Sequence, residues 1–226
     1  MKAILLFIAG IAIMDPTNLN STVPADLPQE VKEPNYKVAV FGGGCFWCTE
    51  AIFSQLKGVK KVVSGFSGGN VPNPSYQEVC TGQTGHAECS QITYDPQVIT
   101  YPELLEVFWT THDPTTLNKQ GADVGTQYRS VIFYTDEEQK KLATEYKERL
   151  EKEKIWSKPI VTEIIKFDKF YSAEAYHQEY YENNPDQAYC RIVITPKLEK
   201  FRKVFADKLK TKWFQGFRIS KFQNLS

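Results

Sequence analysis

The run Gly42-Gly43-Gly44-Cys45-Phe46-Trp47-Cys48 constrains this chain more than any other stretch. Ahead of it, Tyr36-Lys37-Val38-Ala39-Val40-Phe41 alternates and is β-branched and aromatic enough to predict a strand. Behind it, Ile52, Phe53 and Leu56 fall at helical spacing within Thr49–Leu56, and Gly58 is a good helix-ending residue. Glycines between a strand and a helix permit a tight turn and leave room for a second molecule to approach. Cys45 is therefore expected at a helix start, where partial positive charge and free N–H groups lower a thiol pKa and create a nucleophile. Phe46 and Trp47 add an apolar wall beside the sulfur, suited to a group such as methyl. Cys48, three residues on, lies on the same helix face and within reach of Cys45.

The chain holds five cysteines, Cys45, Cys48, Cys80, Cys89 and Cys190, and an odd count leaves a thiol over from any purely structural disulfide framework. Cys45 and Cys48 could be buried small hydrophobes, but two cysteines at this spacing after a strand and a glycine run weigh against that. No metal is expected. Cys80 and Cys89 are too far apart for a second C-x-x-C, and the three histidines are scattered, so a zinc-binding module ranks below redox chemistry. Alone, the motif would also suit a thioredoxin-like disulfide oxidoreductase. That fold expects a proline entering a strand opposite the C-x-x-C, whereas Pro196 follows an expected strand.

Further strands are expected at 59–66, 87–94, 128–134, 160–165 and 191–195. A helix opens at Pro102, and Thr135-x-x-Glu138 reads as a capping box for a long helix to about Lys154. A short helix is expected at 172–182. From Pro196 a last helix carries the apolar stripe Leu198, Phe201, Val204, Phe205, Leu209 and Trp213. Strands and helices interleave without a regular parallel beat, so the fold class is α+β: a single-domain mixed α/β sandwich with a ferredoxin-like core. Its loops, 67–85 and 112–127, are long enough to build a site.

The catalytic domain is placed at 36–205, with a basic C-terminal tail at 206–226. Residues 1–14, Met1-Lys2 and the apolar run Ala3–Met14, have the shape of a signal peptide too short to span a membrane comfortably. Residues 15–35 read as a linker rich in Pro, Asn, Thr, Ser and acid. Export is the expected localisation, with the cytoplasm as the alternative. Apolar and charged fractions of 42% and 24% exclude global disorder. Lys+Arg and Asp+Glu balance at 27 each, which sets nucleic acid aside as a partner.

Several further motifs run in order through the chain. Glu50 and Phe53 follow Gly44-Cys45-Phe46-Trp47. Then come Ser64-Gly65-Phe66-Ser67-Gly68-Gly69, Asn73-Pro74-Ser75-Tyr76, Thr84-Gly85-His86-Ala87-Glu88 and His112-Asp113-Pro114-Thr115. Gln120-Gly121-Ala122-Asp123-x-Gly125-Thr126-Gln127-Tyr128-Arg129-Ser130 and Tyr176-His177-Gln178 complete the set. In this register the chain, from about Phe41 to Cys190, resembles the A-type peptide-methionine sulfoxide reductases. The resemblance implies reduction of methionine S-sulfoxide in proteins and peptides, and of the free amino acid. It needs no bound cofactor, because electrons come from a thioredoxin-like protein. A monomer is expected.

The chemistry sets its own requirements. A sulfoxide sulfur is a poor electrophile until its oxygen is protonated or strongly hydrogen-bonded, so a thiolate, a proton donor and oxygen-directed donors must meet. The resemblance assigns Cys45 as nucleophile and Glu88 as acid; a lone glutamate is otherwise most often a solvated surface charge. It assigns Tyr76 and Tyr128 to the sulfoxide oxygen and Asp123 to supporting the site through water. Phe46 and Trp47 form the methyl pocket. The Cys45 sulfenic acid then condenses with a second thiol. Cys190 matches the family's C-terminal resolving position. It abuts the strand-like Arg191-Ile192-Val193-Ile194, however, and Cys48 is held near by helix geometry, so Cys48 is preferred with Cys190 as a relay. Cys80 and Cys89 are expected to be packed.

Overall fold

A computed structural model describes residues 35–211. The expected leader at 1–14, the linker up to residue 34, and the tail beyond Thr211 with Trp213 lie outside the described residues. Among the described residues, six of eight strands form one sheet: β1 (Lys37–Gly43), β2 (Val59–Ser67), β3 (Ala87–Tyr94), β6 (Ser130–Tyr134), β7 (Glu163–Lys166) and β8 (Phe170–Ser172). Their spatial order is β7-β6-β1-β3-β2-β8. Only β6 and β7 run parallel; every other neighbouring pair is antiparallel. β4 (Lys119–Gln120) and β5 (Asp123–Val124) form a separate small hairpin.

The two-residue period of β1 divides the sheet's faces. Ala39 and Phe41 join Ile92 of β3 in the main core, against Ile52 and Phe53 of α1 (Phe46–Phe53) and Leu104, Leu105 and Phe108 of α3 (Tyr101–Thr111). Val40 points the other way, into a smaller cluster with Ala87, Cys89, Val131 and Phe133. Cys89 is packed, as expected. α3 starts where its sequence dictates: the Thr100 hydroxyl accepts the Glu103 N–H, Glu103 Oε2 accepts the Thr100 N–H at 2.8 Å, and Pro102 falls in the first turn.

Five expectations about the fold need correction. α4 (Glu137–Lys152) is capped one residue later than Thr135: Asp136 accepts the Gln139 N–H at 2.8 Å, and Gln139 accepts the Thr135 N–H at 3.1 Å. The loop 67–85 contains a helical turn, α2 (Tyr76–Cys80), opened by a Ser75–Glu78 capping box. The expected helix 172–182 is instead the end of β8, a 3-10 turn at Ala175–His177 and the single turn α5 (Tyr180–Asn183).

The expected strand 191–195 is the fourth. Cys190–Ile194 forms a π-helical turn running into α6 (Thr195–Val204). Cys190, Ile194, Leu198, Phe201 and Phe205 are all buried at helical spacing, while Ile192 is 75% exposed. Burial of that stripe overrode the β-branched propensity of Arg191-Ile192-Val193-Ile194-Thr195. The α6 stripe is shorter than expected, because the helix ends at Val204, which is exposed; Phe205 and Leu209 remain buried.

Candidate active site

At Gly42 the backbone passes so close to its neighbours that a Cβ would lie 2.8 Å from Val131 Cγ1 and 2.9 Å from the Glu88 carbonyl. Gly44 adopts φ +93°, a region that favours glycine. This turn delivers Cys45 to the cap position of α1, where its carbonyl accepts the Cys48 N–H at 3.1 Å. No local side chain caps α1. Its first N–H, of Phe46, donates instead to Glu88 Oε2 at 3.1 Å, so a carboxyl from β3 caps the helix that carries the cysteine.

Glu88 is 1% exposed, and its other oxygen has no hydrogen-bond partner among the described residues. Burial pushes its carboxyl up to about 8 against the lowering effect of the Phe46 N–H, with Asp123 and Cys48 adding to the rise. Near neutrality the group is therefore mostly protonated and can donate. Phe46 and Glu88 are 42 residues apart, and a close turn at Gly42 is what lets them meet.

The Cys45 and Cys48 thiols lie close enough that each shifts the proton affinity of the other. Burial and this neighbour push the Cys45 thiol well up, which corrects the lowered thiol expected at a helix start: desolvation of the buried sulfur outweighs the helix end. Cys48 is drawn down to about 7, chiefly by the hydrogen bond from Cys45, with help from Lys197 and the Tyr189 hydroxyl, against burial and Asp123. Near neutrality the pair's charge therefore resides on Cys48, beside a protonated Cys45.

The tyrosines converge on the same point. Burial raises Tyr76, with Cys80, Glu88 and Tyr128 adding to it; burial also raises Tyr128, with Glu88, Cys45, Cys80 and Asp123 adding to it. Both hydroxyls keep their protons and serve as donors. Asp123, on β5, accepts from Tyr189 Oη at 2.7 Å. Phe46 is buried, with its ring 6.2 Å from that of Tyr76 and 5.2 Å from that of His177. Trp47 stacks on Tyr180 at 3.7 Å between centroids and 7° between planes, and its Nε1 donates to His177 Nδ1 at 3.2 Å.

All the sequence-assigned site residues except Cys190 thus line one locus. Cys190 lies on the π-helical turn, fully buried and near enough to Cys48 for that sulfur's charge to raise it alongside burial. Cys80 departs from expectation: it is exposed at the end of α2, near the Tyr76 hydroxyl. Among the described residues no cluster of three or more His, Cys, Asp or Glu is placed to hold a metal ion.

Sequence reasoning missed His177, Tyr180, Tyr189 and Lys197. His177 lay inside a quoted motif, but its contact with Trp47 spans 130 residues. Tyr189 adjoins Cys190, yet only a helical backbone there turns its hydroxyl toward the cysteine pair.

A family model described as peptide methionine sulfoxide reductase matches residues 37–209. A peptide methionine sulfoxide reductase MsrA from Sulfolobus acidocaldarius is 57% identical over 172 residues, covering 76% of this chain and 97% of the relative. Its counterpart from Deinococcus radiodurans is 56% identical over 172 residues, covering 76% and 84%. Among solved structures, reduced Mxr1 from Saccharomyces cerevisiae superposes with a TM-score of 0.62 at 37% identity, covering 69% of this chain and 89% of its own. Methionine sulfoxide reductase A of Corynebacterium diphtheriae gives 0.61 at 35% identity, covering 68% and 77%.

Proposed function

The chain belongs to the peptide methionine sulfoxide reductase family, and from that premise we propose how its own residues reduce the sulfoxide. The S-methyl group rests against Phe46 and Trp47, and the sulfoxide oxygen accepts from the Tyr76 and Tyr128 hydroxyls. The Cys45 sulfur attacks the sulfoxide sulfur while its proton passes to the charged Cys48. Glu88 protonates the oxygen, Asp123 and Tyr189 orient the pair, and methionine departs. The oxygen stays on Cys45 as a sulfenic acid, and Glu88 is left as a carboxylate. One thiol and one sulfoxide have become one sulfenic acid and one thioether.

Cys48 then attacks the Cys45 sulfur; an S–S bond forms, the S–O bond breaks, and the oxygen leaves as water after protonation. A thioredoxin-like protein returns the disulfide to two thiols. Selectivity for the S-epimer, and acceptance of free methionine sulfoxide, come from family membership alone. The observation that carries the proposal is the 3.1 Å bond from Phe46 N–H to Glu88, which ties the buried acid to the helix start beside the nucleophile. The Cys45–Cys48 contact supports Cys48 as resolver over Cys190, which is immobilised in a packed turn.

Cys45→Ser should release no methionine while keeping its near-ultraviolet dichroism. Mass spectrometry after one turnover should map a Cys45–Cys48 disulfide. A Cys45–Cys190 bridge in its place would move the resolving role to Cys190.

For the fold, the antiparallel order β6-β1-β3-β2 with α1 and α3 on one face supports a ferredoxin-like core at the centre of the domain at 36–205. Export rests on the residue pattern of 1–14 and 15–35, and cell fractionation tests it against a cytoplasmic location. With the leader cleaved, the electron donor would be an extracytoplasmic thioredoxin-like protein.

A further inference from the structure

We infer that Lys197 is a positioning residue that keeps Cys48 charged for its attack on the Cys45 sulfenic acid. The inference rests on Cys48 being the resolving thiol. Tyr189, Val193 and Lys197 are spaced four residues apart along the continuous helical rod of the π-turn and α6, so they share one face. Tyr189 at one end lies beside the cysteine pair, and Lys197, two turns on, lines a small cavity with Cys48, Thr49, Phe108 and His112.

Several ionisable groups face Cys48. Cys45 approaches from its own helix, Tyr189 and Cys190 from the π-turn side, Asp123 from β5 and Glu88 from β3. His112 and Lys197 reach it through the shared cavity. Burial holds His112 down at about 4, with Lys197 opposing its protonation, so the imidazole is neutral. That leaves Lys197 as the one cation among these described groups. It forms no ion pair with a carboxylate among the described residues, so its charge is not spent elsewhere. Its attraction is among the effects that bring the Cys48 thiol down to about 7.

Two steps draw on that charge. Cys48 takes the proton of Cys45 when Cys45 attacks the sulfoxide. Having returned that proton to solvent, it displaces the sulfenic oxygen to form the disulfide, with water as the other product. A thiol whose pKa rose would be mostly protonated at neutral pH and slower in both.

The test compares Lys197→Gln and Lys197→Arg in a Cys80→Ser/Cys190→Ser background. Thiolate absorbance near the far-ultraviolet edge is followed against pH, and disulfide formation is followed by rapid quench after one sulfoxide equivalent. With Gln, the Cys48 midpoint should move up by about one pH unit, and disulfide formation at pH 7 should slow about fivefold, recovering at alkaline pH. Arg should track the parent. A Gln variant with an unmoved midpoint, or one equally slow at neutral and alkaline pH, would overturn the inference. A parent protein whose intact form maps a Cys45–Cys190 bridge would sink the resolver assignment instead, and the role of Lys197 with it.

Discussion

The elbow at Gly42–Cys48 and the C-terminal arm from Phe170 to Leu209 meet at the same sulfur pair but are built on opposite principles. The elbow grows from β1, a central strand, and is fixed by backbone: a left-handed Gly44, a glycine pressed against Val131, and a helix start capped by Glu88. The arm runs from the short edge strand β8 through single 3-10, α and π turns into α6, and exposes Tyr176, Ile192 and Val204. It is held by side chains. His177 meets Trp47, Gln178 bonds both the N–H and the carbonyl of Ser64, and Tyr189 meets Asp123. The difference teaches that reacting atoms are set by backbone geometry, whereas groups that tune charge and shape the pocket sit on a segment fixed by side-chain packing and hydrogen bonds.

If that division holds, changes at the elbow should remove chemistry and changes in the arm should shift it. Glu88→Gln is expected to lower kcat/KM by about 10²–10⁴, the ordinary worth of a general acid. It should also reshape the pH profile. In the parent, activity rises as pH climbs through about 7 and the cysteine pair takes on its charge, then falls through about 8 as Glu88 loses its proton. The descending limb should vanish in the Gln variant, whose amide does not titrate, and persistence of that limb would remove Glu88 from the role of acid.

Tyr189→Phe should act more weakly. Its hydroxyl lowers both Cys45 and Cys48, so its loss should carry the ascending limb upward and reduce activity at pH 7 about tenfold, with recovery at higher pH. A loss independent of pH would make Tyr189 a packing residue. The smallest effect is expected for Gln178→Ala, which removes two hydrogen bonds joining the arm to Ser64 and a third within the arm to Ala173. KM for a sulfoxide peptide should rise about threefold with kcat little changed, and Tm should fall by about 2–4 °C. If steady-state kinetics instead showed kcat collapsing as in the Glu88 variant, the elbow and arm would not be separable as described.

Local sequence made the elbow legible. Strand alternation, glycines and a cysteine followed by helical spacing are near-neighbour facts, and the cap at Cys45 sits where they place it. Glu88 was legible only as part of a motif, because its retained proton comes from burial on β3 and its place at the helix start from an N–H 42 residues away. At 191–195 the sequence misled. β-branched residues predict a strand, yet no strand pairs there, and the spacing of Cys190, Ile194 and Leu198 buries one helical face instead.

By itself, then, the sequence determined that a cysteine would stand at a glycine-turned helix start with aromatic neighbours, since backbone freedom and periodicity act over a few residues. The tertiary structure alone decided the ionisation of that site. Eight residues in a strand would separate Tyr189 from Lys197 by about 26 Å, but in a helix by about 12 Å, close enough for both to act on Cys48. Charge and proton affinity depend on distance and burial in three dimensions, and those are settled only when β3, the β4–β5 hairpin and the arm close around the sulfurs.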